Sequence, residues 1–456
     1  MFDDTIAAIA TPLGEGGLAV IRVSGAQAFA IADATFRSAA RSSVPPSQTQ
    51  SHTLHHGHII RGGVVVDEVL LAVMRAPRTY TCEHTIEVSC HGGLLPAKAV
   101  LDTMLAAGAR LALPGEFTKR AFLNGRLDLA QAEAVADLIH ARTELALRAA
   151  EEQLAGRLSQ RINQLRDEIM KTLAHIEAHI DFPDEDITPD TRGALLRRLE
   201  SGVAFMDMLL RTADEGQLLR CGIRAAIIGR PNAGKSSLLN QLLGRDRAIV
   251  SPIPGTTRDT IEETANIRGV PVIFVDTAGL REAGDAIEVE GIRRSRETLA
   301  RAELILHVLD ASEPLTAEDE KFLQEFAGKK RIVVRNKTDM PVKLGAATGP
   351  AGVGVDISCT TGQGIEDLKD AIKELVWAGQ IKAEMLEVMI NSRHQDALSR
   401  ARAATVRGLD AIRMEASLEF VALDLRIAAN AVGEVVGKTT TEDLLDSIFS
   451  QFCIGK

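Results

Sequence analysis

The sequence predicts a multidomain α/β plus α protein. A mixed α/β N-terminal domain is followed by a discontinuous helical domain, whose two stretches enclose an inserted α/β domain. Three observations predict this. Apolar, β-rich runs alternate with turn residues over the first 124 residues. Leu, Ile and Ala recur at three- and four-residue steps over 127–180 and again over 382–436. Between those stretches, from 222 to about 377, strand-like and helix-like segments alternate. A chain of 456 residues exceeds one ordinary domain, so the divisions are drawn at 1–124, 125–215, 216–379 and 380–456.

In the first division the strand-like runs are 5–11, 17–23, 64–74 and 85–90, with Gly62-Gly63 suited to turning a hairpin. Residues 39–50, rich in Ser, Pro and Gln, read as a surface loop, and 94–107 as a helix ending near Gly108. The long helical pattern beyond 127 breaks at Phe182-Pro183-Asp184, and a further helix runs to about Ala213. Thr441-Glu442-Asp443 opens a short last helix.

Composition narrows the function classes. With 45% hydrophobic and 25% charged residues the chain has material for several cores, and 3% aromatics with abundant Ala and Leu favours helix. A net charge of −10 excludes a general nucleic-acid coat, so any RNA contact is local or shared with a partner. No apolar run is long enough to span a bilayer, and the acidic start Met1-Phe2-Asp3-Asp4 lacks the basic flank of a signal peptide. The expectation is a cytoplasmic protein without a membrane role. Five scattered cysteines (Cys82, Cys90, Cys221, Cys359, Cys453) make no disulfide framework.

The inserted division carries the chemistry. Gly229-Arg230-Pro231-Asn232-Ala233-Gly234-Lys235-Ser236 fits G-x-x-x-x-G-K-S between a strand-like run, 223–228, and a helix-like one beginning at Ser237. Such a loop turns its N–H groups toward phosphates, Lys235 neutralises the β and γ phosphates, and Ser236 ligates Mg²⁺. Asp276-Thr277-Ala278-Gly279 ends a second strand-like run, 270–275. There Asp276 suits the metal through water and the Gly279 N–H senses the γ phosphate. Asn336-Lys337-Thr338-Asp339 follows a third, 331–334. The Asp339 carboxylate accepts both donors of guanine's Watson–Crick edge, Asn336 addresses the purine N7 side, and the Lys337 stem covers the base. Ser358-Cys359-Thr360 follows a fourth strand, where a backbone N–H meets guanine O6. Four motifs in this order specify a Ras-like P-loop GTPase domain that binds GTP.

Ser251-Pro252-Ile253-Pro254-Gly255-Thr256-Thr257-Arg258-Asp259 occupies the switch I position, with Thr257 as second Mg²⁺ ligand. Leu280 stands where many GTPases place a water-orienting glutamine, so catalysis is assembled otherwise. Asn232 offers an oxygen for a monovalent cation in place of an arginine finger, and Glu288 is the candidate to polarise water.

Other clusters read more plainly. His52, His55, His56 and His58 read as a solvated loop and strand edge, Cys90-His91 as a buried cysteine and a turn, and His175/His179 as a helix contact. The exposed-type runs Glu151-Glu152 and Arg197-Arg198 read as solvated helix faces.

Three further stretches carry a resemblance: Asp4-Thr5-Ile6-Ala7-Ala8-Ile9-Ala10-Thr11-Pro12; Pro114-Gly115-Glu116-Phe117 through Asn124-Gly125-Arg126-Leu127-Asp128-Leu129-Ala130-Gln131-Ala132-Glu133-Ala134; and the terminal Phe452-Cys453-Ile454-Gly455-Lys456. Over essentially its whole length the chain resembles the MnmE (TrmE) family of tRNA modification GTPases. The resemblance implies a homodimer through an N-terminal domain that binds 5-formyl-tetrahydrofolate or a related one-carbon folate. Arg22, Glu87 and Arg126 would hold that folate, with Lys456 near. It also implies K⁺ on Asn232, Ser251, Ile253 and Thr256, Ser251 standing where threonine is common. It implies an MnmG-type FAD-dependent partner in a heterotetramer, and a carboxymethylaminomethyl or aminomethyl group placed on C5 of tRNA wobble U34. Cys453 reads two ways, as a nucleophile on a mobile tail or as a packing residue. Phe449, Phe452 and Ile454 are expected to dock that tail, and Gly455-Lys456 to stay mobile. The alternatives are a GTP-gated ribosome-assembly or stress factor without covalent chemistry, and a stand-alone folate-dependent transferase with a regulatory GTPase.

Overall fold

A computed structural model describes residues 4–40, 44–181, 189–244, 263–275, 301–325, 328–344, 353–377 and 386–456. The N-terminal sheet contains β1 (Ile6–Ile9), β2 (Leu18–Ser24), β3 (Phe36–Ser38), β4 (Thr53–Arg61), β5 (Val64–Met74), β6 (Thr85–His91) and β7 (Arg110–Leu111). Their spatial order is β3-β4-β5-β6-β2-β1-β7. Helices α1 (Ala28–Thr35) and α2 (Leu94–Ala106) cover one face, burying Ile21, Val23, Val88, Ile31, Val100 and Met104 in one core. Side chains alternate across a strand, so the neighbours of those residues point the other way. The β2–β6 register sets Arg22 opposite Glu87 on that second face. The histidine segment meets expectation in part: His52 is exposed in the turn before β4, while His55, His56 and His58 lie on β4. That strand is paired along its length by β5, which the Gly62-Gly63 turn folds back, and by β3 only over Gly57–Ile59.

The helical pattern over 127–180 resolves into α4 (Leu129–His140), α5 (Glu144–Leu154) and α6 (Arg157–Asp181), preceded by α3 (Glu116–Leu123). Caps make the divisions. Asp128 and Gln131 form a reciprocal capping box on α4, and the Thr143 hydroxyl accepts from Ala146 N on α5. The expected break at Phe182-Pro183-Asp184 lies outside the described residues. Next come α7 (Pro189–Leu210) and α8 (Ala213–Cys221), the latter not foreseen from sequence, leading straight into the second sheet.

That sheet has the order β13-β12-β11-β8-β10-β9. Its strands are β8 (Ile223–Ile228), β9 (Glu263–Ile267), β10 (Val270–Phe274), β11 (Leu304–Asp310), β12 (Lys330–Asn336) and β13 (Val353–Asp356). Only the β9–β10 pair is antiparallel. Helices α9 (Lys235–Leu243), α10 (Ala317–Glu325) and α11 (Ile365–Val376) accompany it. A parallel sheet delivers the loops after its strands to one edge, where ligands bind.

The chain returns to helix with α12 (Ser392–Arg413), α13 (Leu418–Val436) and α14 (Glu442–Phe449). Leu158, Ile162, Leu165, Ile169, Leu173 and Ile176 of α6 form a stripe with steps of three and four. They pack with Ala397, Ala401, Ala404, Ala428 and Ala429 of α12 and α13, whose small side chains admit close approach. The two helical stretches are also tied by charge. Glu133 of α4, fully buried, accepts from Arg393 Nε (2.8 Å), Arg393 Nη2 (2.8 Å) and Asn391 Nδ2 (3.1 Å), with His394 Nε2 at 2.8 Å. Burial pushes the Glu133 carboxyl up, but His394 and Arg393 hold it well below the usual carboxylate range. Glu133→Ala leaves Arg393 and His394 facing each other without their anion. The expected cost is about 3–5 kcal/mol, read as a lower urea midpoint of helical circular dichroism; an unmoved midpoint would reduce the cluster to a bystander. Among the described residues no helix is long and apolar enough to cross a membrane.

Candidate functional site

The G-x-x-x-x-G-K-S residues form the turn between β8 and α9. Asn232 (φ +60°) and Gly234 (φ +100°) lie in the left-handed region, and a Cβ on Gly234 would strike the Asn336 amide. Lys235 Nζ donates to the carbonyls of Gly229 (2.9 Å) and Arg230 (2.8 Å), which brings its charge over the loop. Ser236 and Ser237 follow in the exposed first turn of α9.

Two of the other motifs, 336–339 and 358–360, meet the loop there. Asn336, at the end of β12, is buried; its Nδ2 donates to the Ala233 carbonyl (2.9 Å) and its Oδ1 accepts from Cys359 N (3.1 Å). Directed at the purine N7 side by the sequence reading, Asn336 here is a strut joining phosphate loop, base motif and the 358–360 loop. Thr338 Oγ1 and N both donate to Ile357 O (2.9 and 3.2 Å), which sets Asp339, exposed, beside that loop. Ser358 is buried, whereas Thr360 is exposed. Burial and the nearby Asp339 push the Cys359 thiol up to about 11, a poor nucleophile.

Sequence reasoning missed Asp310. At the end of β11 it pairs with Lys337 Nζ at 2.6 Å and accepts from Ser312 N and Oγ. Burial pushes the Asp310 carboxyl up, yet Lys337 and Ser312 bring it below its ordinary value. The signal was a continuous run, Leu304 to Asp310, every residue of it buried. Ser251, Pro252, Ile253, Pro254, Gly255, Thr256, Thr257, Asp276, Thr277, Ala278, Gly279, Leu280 and Glu288 lie outside the described residues. Of the metal sets, therefore, Ser236 and Asn232 alone are described.

A second cluster sits on the face of the N-terminal sheet opposite α1 and α2. Arg22 Nε donates to Glu87 at 2.8 Å, and its guanidinium lies 5.6 Å from the ring centres of both Tyr80 and Phe117. Arg126 approaches the same Tyr80 ring at 4.8 Å, and Tyr80 Oη meets Thr118 Oγ1 at 2.9 Å. Burial pushes the Tyr80 hydroxyl up. Beneath lies an ion cluster that the sequence did not disclose. Arg120, fully buried, bonds Asp4 (2.6 Å), Glu116 (3.0 Å) and Glu83 (3.2 Å), while Arg110 pairs with Asp4 and Glu116 (2.6 Å each).

The C-terminal tail differs from expectation at three residues, Ile454, Gly455 and Lys456. Phe449 and Phe452 dock as expected, with ring centres 6.5 Å (Phe122 to Phe449) and 5.5 Å (Phe449 to Phe452) apart. Gly455, expected mobile with Lys456, is buried at φ +96° against Ile9, where a Cβ would strike the Ile9 carbonyl. Phe117 N donates to Lys456 O at 3.2 Å, and Gly115 N to Cys453 O at 3.4 Å. Main-chain pairing thus does what apolar area was thought too small to do. Ile454, expected to dock, is 53% exposed, and Cys453 is exposed beside it. Arg22, Glu87 and Arg126 come together around Tyr80, and Lys456 joins them through Phe117.

Comparison with known proteins agrees along the chain. The family described as MnmE helical domain matches residues 129–453, and GTP-binding protein TrmE N-terminus matches residues 5–126. The tRNA modification GTPase MnmE of Geobacillus kaustophilus is 49% identical over 463 residues, covering 99% of each chain. That of Geobacillus thermodenitrificans is 47% identical over 462 residues, again covering 99% of each. Among solved structures, the G domain of the T. maritima FeoB iron transporter aligns at 25% identity with a TM-score of 0.24, over 34% of this chain and 98% of that one.

Proposed function

The chain belongs to the MnmE family of tRNA modification GTPases and is a GTP hydrolase, and from that premise we propose that its turnover is K⁺-stimulated and serves the modification of wobble U34. In this reading an MnmG-type FAD-dependent partner joins a homodimer of the chain in a heterotetramer. Together they place an aminomethyl or carboxymethylaminomethyl group on C5 of the uridine. The observation that carries it is the pairing of two sites in one chain: a phosphate loop strutted by Asn336 to the base motif, and an arginine–tyrosine cluster with a cysteine-bearing tail docked on it.

The described residues suit GTP, Mg²⁺ and a folate. Gly234 has no room for a Cβ, Lys235 stands over the loop, and the Ser236 hydroxyl opens the helix, as GTP and Mg²⁺ require. Two guanidiniums and a carboxylate around one phenol ring suit an anionic, ring-bearing folate, whose chemistry would be delivery of a one-carbon unit. Lys456, Arg22, Glu87 and Arg126 would bind it. Asn232, Ser251, Ile253 and Thr256 would hold K⁺, and Ser236 and Thr257 Mg²⁺. Asp339 would select guanine, and Glu288 would orient water. Mass spectrometry of wobble uridine in tRNA from cells with and without the gene tests the whole; identical profiles would end it.

The cation arm has its own test. With Leu280 unable to orient water, hydrolysis in Na⁺ is expected to fall about tenfold or more below that in K⁺ at matched ionic strength. Equal steady-state rates would remove K⁺ from the site. Glu288→Ala should slow turnover while nucleotide affinity holds.

A further inference from the structure

We propose that Arg230 is a positioning residue of the phosphate loop, tethering it through Asp319 to the start of α10. Arg230 lies between Gly229 and Pro231 in the turn that follows β8. Its own carbonyl accepts from Lys235 Nζ (2.8 Å) and from Ala233 N (3.3 Å). Its side chain reaches the start of α10. Nε donates to Asp319, 2.9 Å from Oδ2 and 3.1 Å from Oδ1, and Nη1 to Glu313 at 3.2 Å.

Asp319 is built to receive it. Only 1% exposed, it also accepts from Thr316 N (3.1 Å) and Thr316 Oγ1 (2.7 Å), so the carboxylate is fixed before the arginine arrives. Glu313, by contrast, is mostly exposed and adds little. A buried carboxylate with two Thr316 donors and an adjacent guanidinium makes charge-assisted bonds of defined direction. One residue therefore has two anchors. Its side chain is pinned to α10, and its carbonyl helps to hold the ammonium of Lys235. Release of the first anchor lets the carbonyl wander and misplaces the charge meant for the phosphates. Lys235 meets those phosphates in ground state and transition state alike, so the loss falls on affinity more than on kcat.

The proposal rests on reading residues 229–237 as the phosphate loop, and the experiment separates the two. GTP and GDP dissociation constants and steady-state turnover are measured on the full chain and on Arg230→Ala, Arg230→Lys, Asp319→Ala, the Arg230→Ala/Asp319→Ala pair and Lys235→Ala. Arg230→Ala is expected to weaken both nucleotides about tenfold, the scale of one charge-assisted hydrogen bond, with kcat at saturation within about threefold. Arg230→Lys should recover part of the affinity. The double variant should lose no more than the larger of the two single losses, because both remove the same bond. Additive losses, or nucleotide affinity in Arg230→Ala within twofold of the parent, overturn the tether while Lys235→Ala still weakens binding. No effect from Lys235→Ala would remove the phosphate loop and the tether together. Should Asp319→Ala fail to fold, having lost the Thr316 contacts as well, the Arg230 pair decides alone.

Discussion

Replacing Asp339 by Asn is expected to weaken GTP on the order of a hundredfold and to turn the site toward xanthosine triphosphate. In the proposed site two charge-assisted hydrogen bonds, to guanine N1–H and the exocyclic amine, would depend on the Asp339 carboxylate, each worth roughly 1.5–3 kcal/mol. Asparagine keeps the shape but offers one acceptor and one donor. Xanthine carries an oxygen where guanine has the amine, and so matches that donor. The surroundings support a clean exchange. Asp339 is exposed at the end of a loop held by Thr338 to Ile357 and by Asn336 to Cys359, none of which the substitution touches. Competition between the two triphosphates, with hydrolysis as readout, measures the ratio. Unchanged preference for GTP would mean that another group reads the base.

The second large effect concerns Cys453. Cys453→Ser is expected to abolish wobble-uridine modification while phosphate release from GTP stays near that of the parent. Serine preserves size, and what holds the tail is elsewhere: Phe449 against Phe122 and Phe452 against Phe449, Gly455 against Ile9, and the main chain of Lys456 on Phe117. The thiol itself is exposed beside the Arg22–Tyr80–Arg126 cluster's supporting helix, free of any packing duty that serine would fail. A nucleoside profile of tRNA from complemented cells and a phosphate-release assay on the same variant give the answer. Full modification would make Cys453 a surface residue with no chemical part; loss of both activities would make the tail a structural brace.

What the sequence disclosed follows from how local each signal is. The strand 223–228 and its glycine-rich turn are written within about a dozen residues, as are the Gly62-Gly63 hairpin and the Thr441 cap. Strand β11 escaped because Leu304 to Asp310 is buried on both faces, so it shows neither strand alternation nor helical steps. With it went Asp310, whose meaning depends on Lys337, 27 residues on. Arg120 shows only an i,i+4 partner in sequence, Glu116; Asp4 and Glu83 arrive through the sheet. Gly455 was misjudged by weighing apolar area alone, whereas its seat is made by backbone shape and by pairing at Gly115 and Phe117.

The Glu133 cluster has a consequence for how the chain is made. As synthesis proceeds, Glu133 leaves the ribosome 260 residues ahead of Arg393. Every strand of the second sheet lies inside that interval, between 223 and 356, so the inserted domain can close on itself while the helices before it still lack their partners. The helices before it thus wait, with a carboxylate and an apolar stripe uncovered, for about the last seventh of the chain, 392–456 of 456 residues. Completion of the helical domain is the late, high-contact-order step, and a slow or truncated nascent chain would present α6 to chaperones rather than to α12 and α13.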